Sequence, residues 1–189
     1  MSWTRPKFIH NENGNYNLIS AENKGKLVGV LNMHKMEFHR ILNVENIMKK
    51  KIYIAGPLFN QHERGYLETI AHNLEKEGFS CFLPHRDLTG VEESELKTTT
   101  MSQTTKTKIF VADLTALKES DLTVALLTGW DIDSGTSAEI GYTFANGKPI
   151  IGIDASERRF RNLFVEGMIT KKVHDISAII PTIKKVFSK

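Results

Sequence analysis

From residue 51 onward, apolar positions alternate between short β-rich runs and helical stripes. Lys51 to Ala55 (KIYIA) stops at Gly56-Pro57, after which Leu67, Ile70, Ala71 and Leu74 mark one face of a helix from about His62 to Glu77. Gly78 ends that helix, Phe79 to Leu83 makes the next strand, and Pro84 closes it. A polar, threonine-rich stretch from Glu92 to Lys108 runs into a helix from about Thr104 to Lys118, with Ile109, Ala112, Ala116 and Leu117 turned inward. Leu122 to Leu127 is continuously apolar, as expected for a strand buried on both faces. A loop from Thr128 to Asp133 leads to a helix from Ser134 to Asn146, stopped by Gly147, and Pro149 to Ile153 is the fourth strand. The tail offers a short helix from Asn162 to Gly167, a fifth strand around Lys172 to His174 and an amphipathic helix from Ile176 to Phe187. This alternation predicts an α/β fold, a doubly wound parallel sheet of about five strands with its ligand crevice at the carboxyl ends of the strands.

Residues 1–47 break the pattern, holding eight Asn, no Asp and the run HNENGNYN, which is too polar to pack. They are expected to form an N-terminal extension, flexible or loosely docked, with one helical stripe between Met36 and Lys50. Met48 precedes Lys-Lys-Lys and a strand, which reads as a translation start and places the single domain at 48–189. The 189-residue length fits one domain and an appendage. No apolar run approaches the roughly 18 residues of a membrane-spanning helix, so a soluble, cytoplasmic protein with no membrane partner is expected. Charge changes little, because 25 Lys+Arg face 22 Asp+Glu overall and 19 face 18 outside the extension. That balance argues against a nucleic-acid surface. A lone cysteine, Cys81, allows no internal disulfide or CxxC pair, and the seven His lack metal-ligand spacing. No metal and no cofactor are expected.

Candidate chemistry follows from the strand ends. Gly56 and Phe59 come after the first strand, Arg86 and Asp87 after the second, Trp130, Asp133, Ser134 and Gly135 after the third, and Asp154 to Arg161 after the fourth. Neither GxGxxG nor GxxxxGK[ST] occurs, which removes the usual dinucleotide and triphosphate cradles. Asp133 and Ser134 open a helix, where free N–H groups favour an anionic or hydroxyl-rich ligand, or where either residue simply caps. Glu139 shares that helix with Ala138, Ile140, Phe144 and Ala145, a costly setting for a carboxylate unless it is partnered, used or turned to solvent. Asp113 sits inside an apolar-rich helix, a poor place by propensity unless it faces water. Tyr53, on the first strand, needs a partner for its hydroxyl, which a nearby carboxylate would supply.

Taken in order over about residues 48–175, KIYIAGPLF, LPHRD, SDLTVALLTG, DSGTSAEIGYTFANGKPI and RNLFVEG resemble the nucleoside 2-deoxyribosyltransferase family. The resemblance implies a flavodoxin-like fold, exchange of purine or pyrimidine bases on 2-deoxyribose, and homo-oligomers with shared active sites that take nucleosides and free nucleobases. By motif it makes Glu139 the nucleophile that forms a covalent deoxyribosyl ester, Tyr53 its orienting partner and Asp113 the acid for the departing base. It also assigns Asp133 to the sugar hydroxyl or base edge, and Asn162 to the neighbouring subunit's site. Phe59 and Trp130 are expected to flank the base, with Arg86 or Asp87 reading its edge. Related N-glycosidases of nucleoside 5′-monophosphates use the same glutamate and pass the sugar to water. The first loop, GPLFNQ, has no Ser and no Arg before Arg64, which favours nucleosides, whereas Arg158, Arg159 and Arg161 crowd the fourth-strand loop and suit a phosphate. A phosphoribohydrolase of the cytokinin-activating kind fits less well, because Asp133-Ser134 replaces its glycine pair. A non-catalytic nucleotide-sensing module would need no acid, nucleophile or orienting tyrosine, and all three are present.

Overall fold

The computed structural model describes residues 46–47, 49–91, 100–129, 131–154 and 162–188, together with the strand backbones at 7–10, 16–19 and 27–29. The chain divides into two compact units, Met1–Ile47 and Met48–Lys189. In the first, β1 (Lys7–His10), β2 (Tyr16–Ile19) and β3 (Leu27–Gly29) form an antiparallel meander in the order β1-β2-β3. Sequence reading placed no strands here. The polar run HNENGNYN instead supplies the facing ends of β1 and β2, where His10 pairs with Tyr16. The helix expected from Met36 lies outside the described residues except for its last few positions.

The second unit is the predicted parallel sheet. Its strands are β4 (Lys51–Ala55), β5 (Ser80–Phe82), β6 (Leu122–Leu126), β7 (Ile150–Ile153) and β8 (Lys171–Val173), in the order β5-β4-β6-β7-β8. This is the flavodoxin-like order, with its switch point between β4 and β6. The helices are α1 (Gln61–Lys76), α2 (Pro84–Asp87), α3 (Gln103–Glu119), α4 (Ser134–Ala145), α5 (Leu163–Gly167) and α6 (Ile179–Phe187). Residues 84–87, expected as loop, form the short α2 because Pro84 starts a turn that Asp87 closes onto the Leu83 N–H. None of the described helices is long and apolar enough to cross a membrane.

Local chemistry sets the helix ends. Asn60 and Glu63 form a reciprocal capping box at the start of α1. At its end Gly78 takes φ of 93°, and the Gly78 and Phe79 N–H groups return to Glu75 and Leu74 in a Schellman motif. Gly147 ends α4 in the same way, with Lys148 bonding back to Thr143.

Strand alternation divides the core between two helical layers. Tyr53, Ala55, Ala125 and Ile150 face one side and pack with Leu117 of α3, Ile140 of α4 and Val165 of α5. Leu67, Ile70, Ala71 and Leu74 of α1 are fully buried on the other side, where Leu67 meets Gly56 and Leu126, and Lys184 of α6 pairs with Glu77 at 3.8 Å. On β7, a Cβ added at Gly152 would stand 2.7 Å from Leu127 Cδ1 and 3.2 Å from Ile169 Cγ2. Gly152→Ala is therefore expected to destabilise the domain by about 1–3 kcal/mol. Gly65→Ala, which meets nothing within 4 Å at an exposed position of α1, should stabilise it by about 0.5–1 kcal/mol. Denaturant midpoints test both, and a Gly152→Ala protein as stable as wild type would contradict the close fit of β7.

Candidate active site

The switch point brings β4 and β6 side by side, with Tyr53 in register with Thr123. Tyr53 is fully buried and points into the α3–α5 layer, where its hydroxyl donates to Glu139 Oε1 at 2.6 Å. The bond joins β4, one of the two strands at the switch point, to a helix that starts at the crevice.

Helix α4 turns an unusual stripe toward the sheet. Thr136, Glu139, Ile140 and Thr143 follow the i, i+3, i+4, i+7 spacing of a buried face, yet only Ile140 is apolar. Thr123 and Thr143 hydroxyls meet at 2.8 Å, and Thr143 Oγ1 also lies 2.8 Å from the Glu139 carbonyl. At the helix start, Asp133 accepts from the Gly135 and Thr136 N–H groups at 3.0 and 3.1 Å, and the Thr136 hydroxyl bonds its other oxygen.

Asp113 completes the acidic cluster from α3. Its Oδ1 is buried, and no hydrogen-bond partner meets it among the described residues. Burial pushes its carboxyl up to about 6. Burial pushes Glu139 further, to about 8, against the Tyr53 hydrogen bond, which lowers it, while the charges of Asp113 and Asp133 raise it. Tyr53 is held far above the ordinary phenol range, by burial first and then by the charges on Glu139 and Asp113. It therefore stays a donor throughout the working range. Between about pH 6 and pH 8 the Asp113–Glu139 pair holds one proton.

The other expected site residues fall in different places. Gly56 is small because a Cβ would come within 2.7 Å of Leu67 Cδ2, so packing against α1 accounts for it without a ligand. Gly135 leaves room for the Asp133 cap, since a Cβ would lie 3.1 Å from Oδ1. Ser134 is the exposed first residue of α4. Arg86 is bound to Glu75 at 2.6 Å and Asp87 at 2.8 Å, and Asp87 also accepts the Leu83 N–H. This network ties α2 to α1 within the chain. Asn162 caps α5 through the Phe164 and Val165 N–H groups, both at 3.2 Å. Phe59 is 78% exposed at the loop after β4. Trp130, Arg158, Arg159 and Arg161 lie outside the described residues. Thr123 and Thr143 were missed in the sequence, although the α4 stripe itself carried the signal.

A cleft of about 670 Å³ runs between Thr89-Gly90 and the Thr104, Thr107, Lys108 and Val111 stripe of α3. Asp113 is two residues beyond Val111, about 200° around the helix, so this cleft is separate from the carboxylate pair. No group of three or more possible metal ligands occurs among the described residues.

Fold and site define a doubly wound α/β protein with a tyrosine-held glutamate and an orphaned aspartate at its switch point. The chain belongs to the nucleoside 2-deoxyribosyltransferase family, whose model matches residues 52–177. The family acts on nucleosides and nucleobases. Among solved structures, the chain resembles a conserved protein from Enterococcus faecalis V583 with a TM-score of 0.60 at 24% identity, over 73% of this chain and 99% of that one. It also resembles the 2-deoxyribosyltransferase of Bacillus psychrosaccharolyticus, with a TM-score of 0.56 at 22% identity over 70% and 95% of the two chains. The CMP N-glycosidase BcmB of Clostridium botulinum matches with a TM-score of 0.47 at 22% identity over 72% and 99%. No curated protein sequence matches the chain.

The raised Glu139 carboxyl has a consequence for stability. A carboxyl whose folded value lies above its unfolded value of 4.5 contributes stability that is full below pH 4.5 and is lost as pH rises toward about 8. Glu139→Gln keeps an acceptor for Tyr53 and removes the charge, so it should melt above wild type at pH 8, by a few kcal/mol on the order of the shift. Thermal unfolding from pH 4.5 to 8.5 checks this, and a gap that does not close toward pH 4.5 would contradict it.

Proposed function

We propose that the protein is a nucleoside 2-deoxyribosyltransferase that works through a covalent deoxyribosyl ester on Glu139. The observation that carries the reading is the Tyr53–Glu139 hydrogen bond beside the unpartnered Asp113 oxygen. Tyr53 occupies Oε1 and leaves Oε2 to approach a sugar. As Oε2 bonds to the anomeric carbon, the carbon–nitrogen bond breaks, and the proton on Asp113 passes to the departing base nitrogen. The incoming base then attacks the same carbon, returns a proton to Asp113 and frees the Glu139 carboxylate. A shared proton suits this cycle: a base leaves poorly as an anion, and of the two one-proton forms of the pair the reacting one carries the proton on Asp113 and leaves Glu139 ionised.

The reading includes a homo-oligomer with shared sites. In support, among the described residues the large apolar side chains exposed on helices lie on α3, α4 and α5, namely Phe110, Val111, Phe144, Leu163 and Phe164. A neighbouring copy on this layer would cover them and shield the ester from water. Within the chain Asn162 Oδ1 serves the α5 cap, which leaves its amide nitrogen for the neighbour's site.

Chromatography of the protein with deoxyinosine, deoxyuridine or dCMP, with and without free adenine and cytosine, tests the activity. New deoxynucleosides are expected only when a base is added, and Glu139→Ala should abolish them. Base released at one rate whatever the acceptor would make the protein an N-glycosidase instead.

The pH profile tests the proton assignment. With one proton shared between the two carboxyls, kcat/KM should be bell-shaped, rising to about pH 6 and falling above about pH 8. Asp113→Asn should lose the alkaline limb, because only the ionisation of Glu139 then remains. A profile of the same shape in the variant would remove Asp113 from the mechanism.

A further inference from the structure

Two buried hydroxyls that the proposed chemistry does not use meet where the polar stripe of α4 crosses β6. Thr123 is fully buried near the start of β6, and Thr143 is 1% exposed one turn beyond Glu139. Thr143 Oγ1 carries one proton and stands 2.8 Å from both the Glu139 carbonyl and Thr123 Oγ1. A carbonyl can only accept, so Thr143 donates to it and Thr123 donates to Thr143. The chain has one direction, from the Thr123 hydroxyl through Thr143 to the Glu139 backbone.

We infer that Thr123 and Thr143 are positioning residues that set the seat of Glu139 over the sheet. The inference rests on the reading of Glu139 as the nucleophile. Tyr53 and Thr123 are register partners on β4 and β6 and face the same layer. One holds the Glu139 carboxylate directly, and the other holds its backbone through Thr143. Both ends of the glutamate are thereby referred to one rung of the sheet. Packing alone gives no reason for the hydroxyls, because valine fills nearly the same volume and suits both a buried strand and a buried helix face. Positional accuracy does give one, since a misplacement of about 1 Å at a reacting group can cost on the order of a hundredfold in rate.

Valine substitutions separate the two roles. Thr143→Val strands the Thr123 hydroxyl, so the folding control is the Thr123→Val/Thr143→Val double variant, which removes both partners together and leaves neither unsatisfied. The double variant is expected to melt close to wild type and to lose about tenfold or more in kcat with KM nearly unchanged. Thr143→Ser, which restores the hydroxyl, should recover most of the loss. A folded double variant with kcat within about twofold of wild type would overturn the inference.

A readout independent of turnover comes from the Glu139 carboxyl carbon, followed by NMR titration. Tyr53, Asp113 and Asp133 are the titratable groups that act on it, and the Tyr53 bond is the contribution that lowers its midpoint. A helix displaced from its seat weakens that bond, so the midpoint should rise in the double variant and return in Thr143→Ser. An unmoved midpoint would count against the pair. A wild-type protein that neither transfers nor releases base would count against the proposed function, and the titration would still decide the positioning role.

Discussion

The hydrogen bond from Tyr53 to Glu139 is the constraint around which the site is built. It crosses from a buried position on β4 to a helix that opens at the crevice, and it places a carboxylate where burial disfavours charge. Neither residue would be stable in this position alone, because a buried phenol and a buried carboxyl both need partners. Together they satisfy one oxygen each and leave the second carboxylate oxygen available. The neighbouring Asp113 offers no donor to either and raises both. The cluster leaves the buried Asp113 Oδ1 without a hydrogen-bond partner among the described residues.

Local folding rules explain why several crevice residues are what they are. The start of α4 is closed by Asp133, which accepts from Gly135 and Thr136, and Gly135 is glycine so that the carboxylate fits. At α1, Glu63 accepts the Phe59 and Asn60 N–H groups at 3.0 and 3.3 Å, while Arg64 folds back onto the Leu58 carbonyl at 2.7 Å. Both helix N-termini that flank the switch point therefore hold one of the protein's own carboxylates. The partial positive charge of each helix end is spent within the chain.

Much of this was legible in the sequence, and the physical reason is periodicity. The LTVALL run, the α1 stripe and the closing glycines Gly78 and Gly147 fix strand, helix and terminus through rules that act over a few residues. Tyr53, Glu139 and Asp113 were visible as polar groups in apolar settings. What could not be read were pairings across long separations, such as Arg86 with Glu75 or Thr123 with Thr143, which depend on how elements dock. The N-terminal strands escaped for a different reason. Their pairing places polar His10 and Asn17 within strands of three or four residues, too short to carry a periodic signal.

The two helical layers divide stability from chemistry. On one side Leu67, Ile70 and Leu74 of α1 are almost completely buried, and each contributes about 1.5–3 kcal/mol of transfer free energy. On the other side the equivalent stripe of α4 gives three of its four positions to Thr136, Glu139 and Thr143, which must be matched by hydrogen bonds merely to break even. A sequence selected for stability alone would place valine or leucine there. The apolar layer offsets that cost, and it lies on the opposite face of the same strands. On one face of these strands Tyr53 and Thr123 present their hydroxyls, while Ile52, Ile54, Leu122 and Val124 are buried on the other.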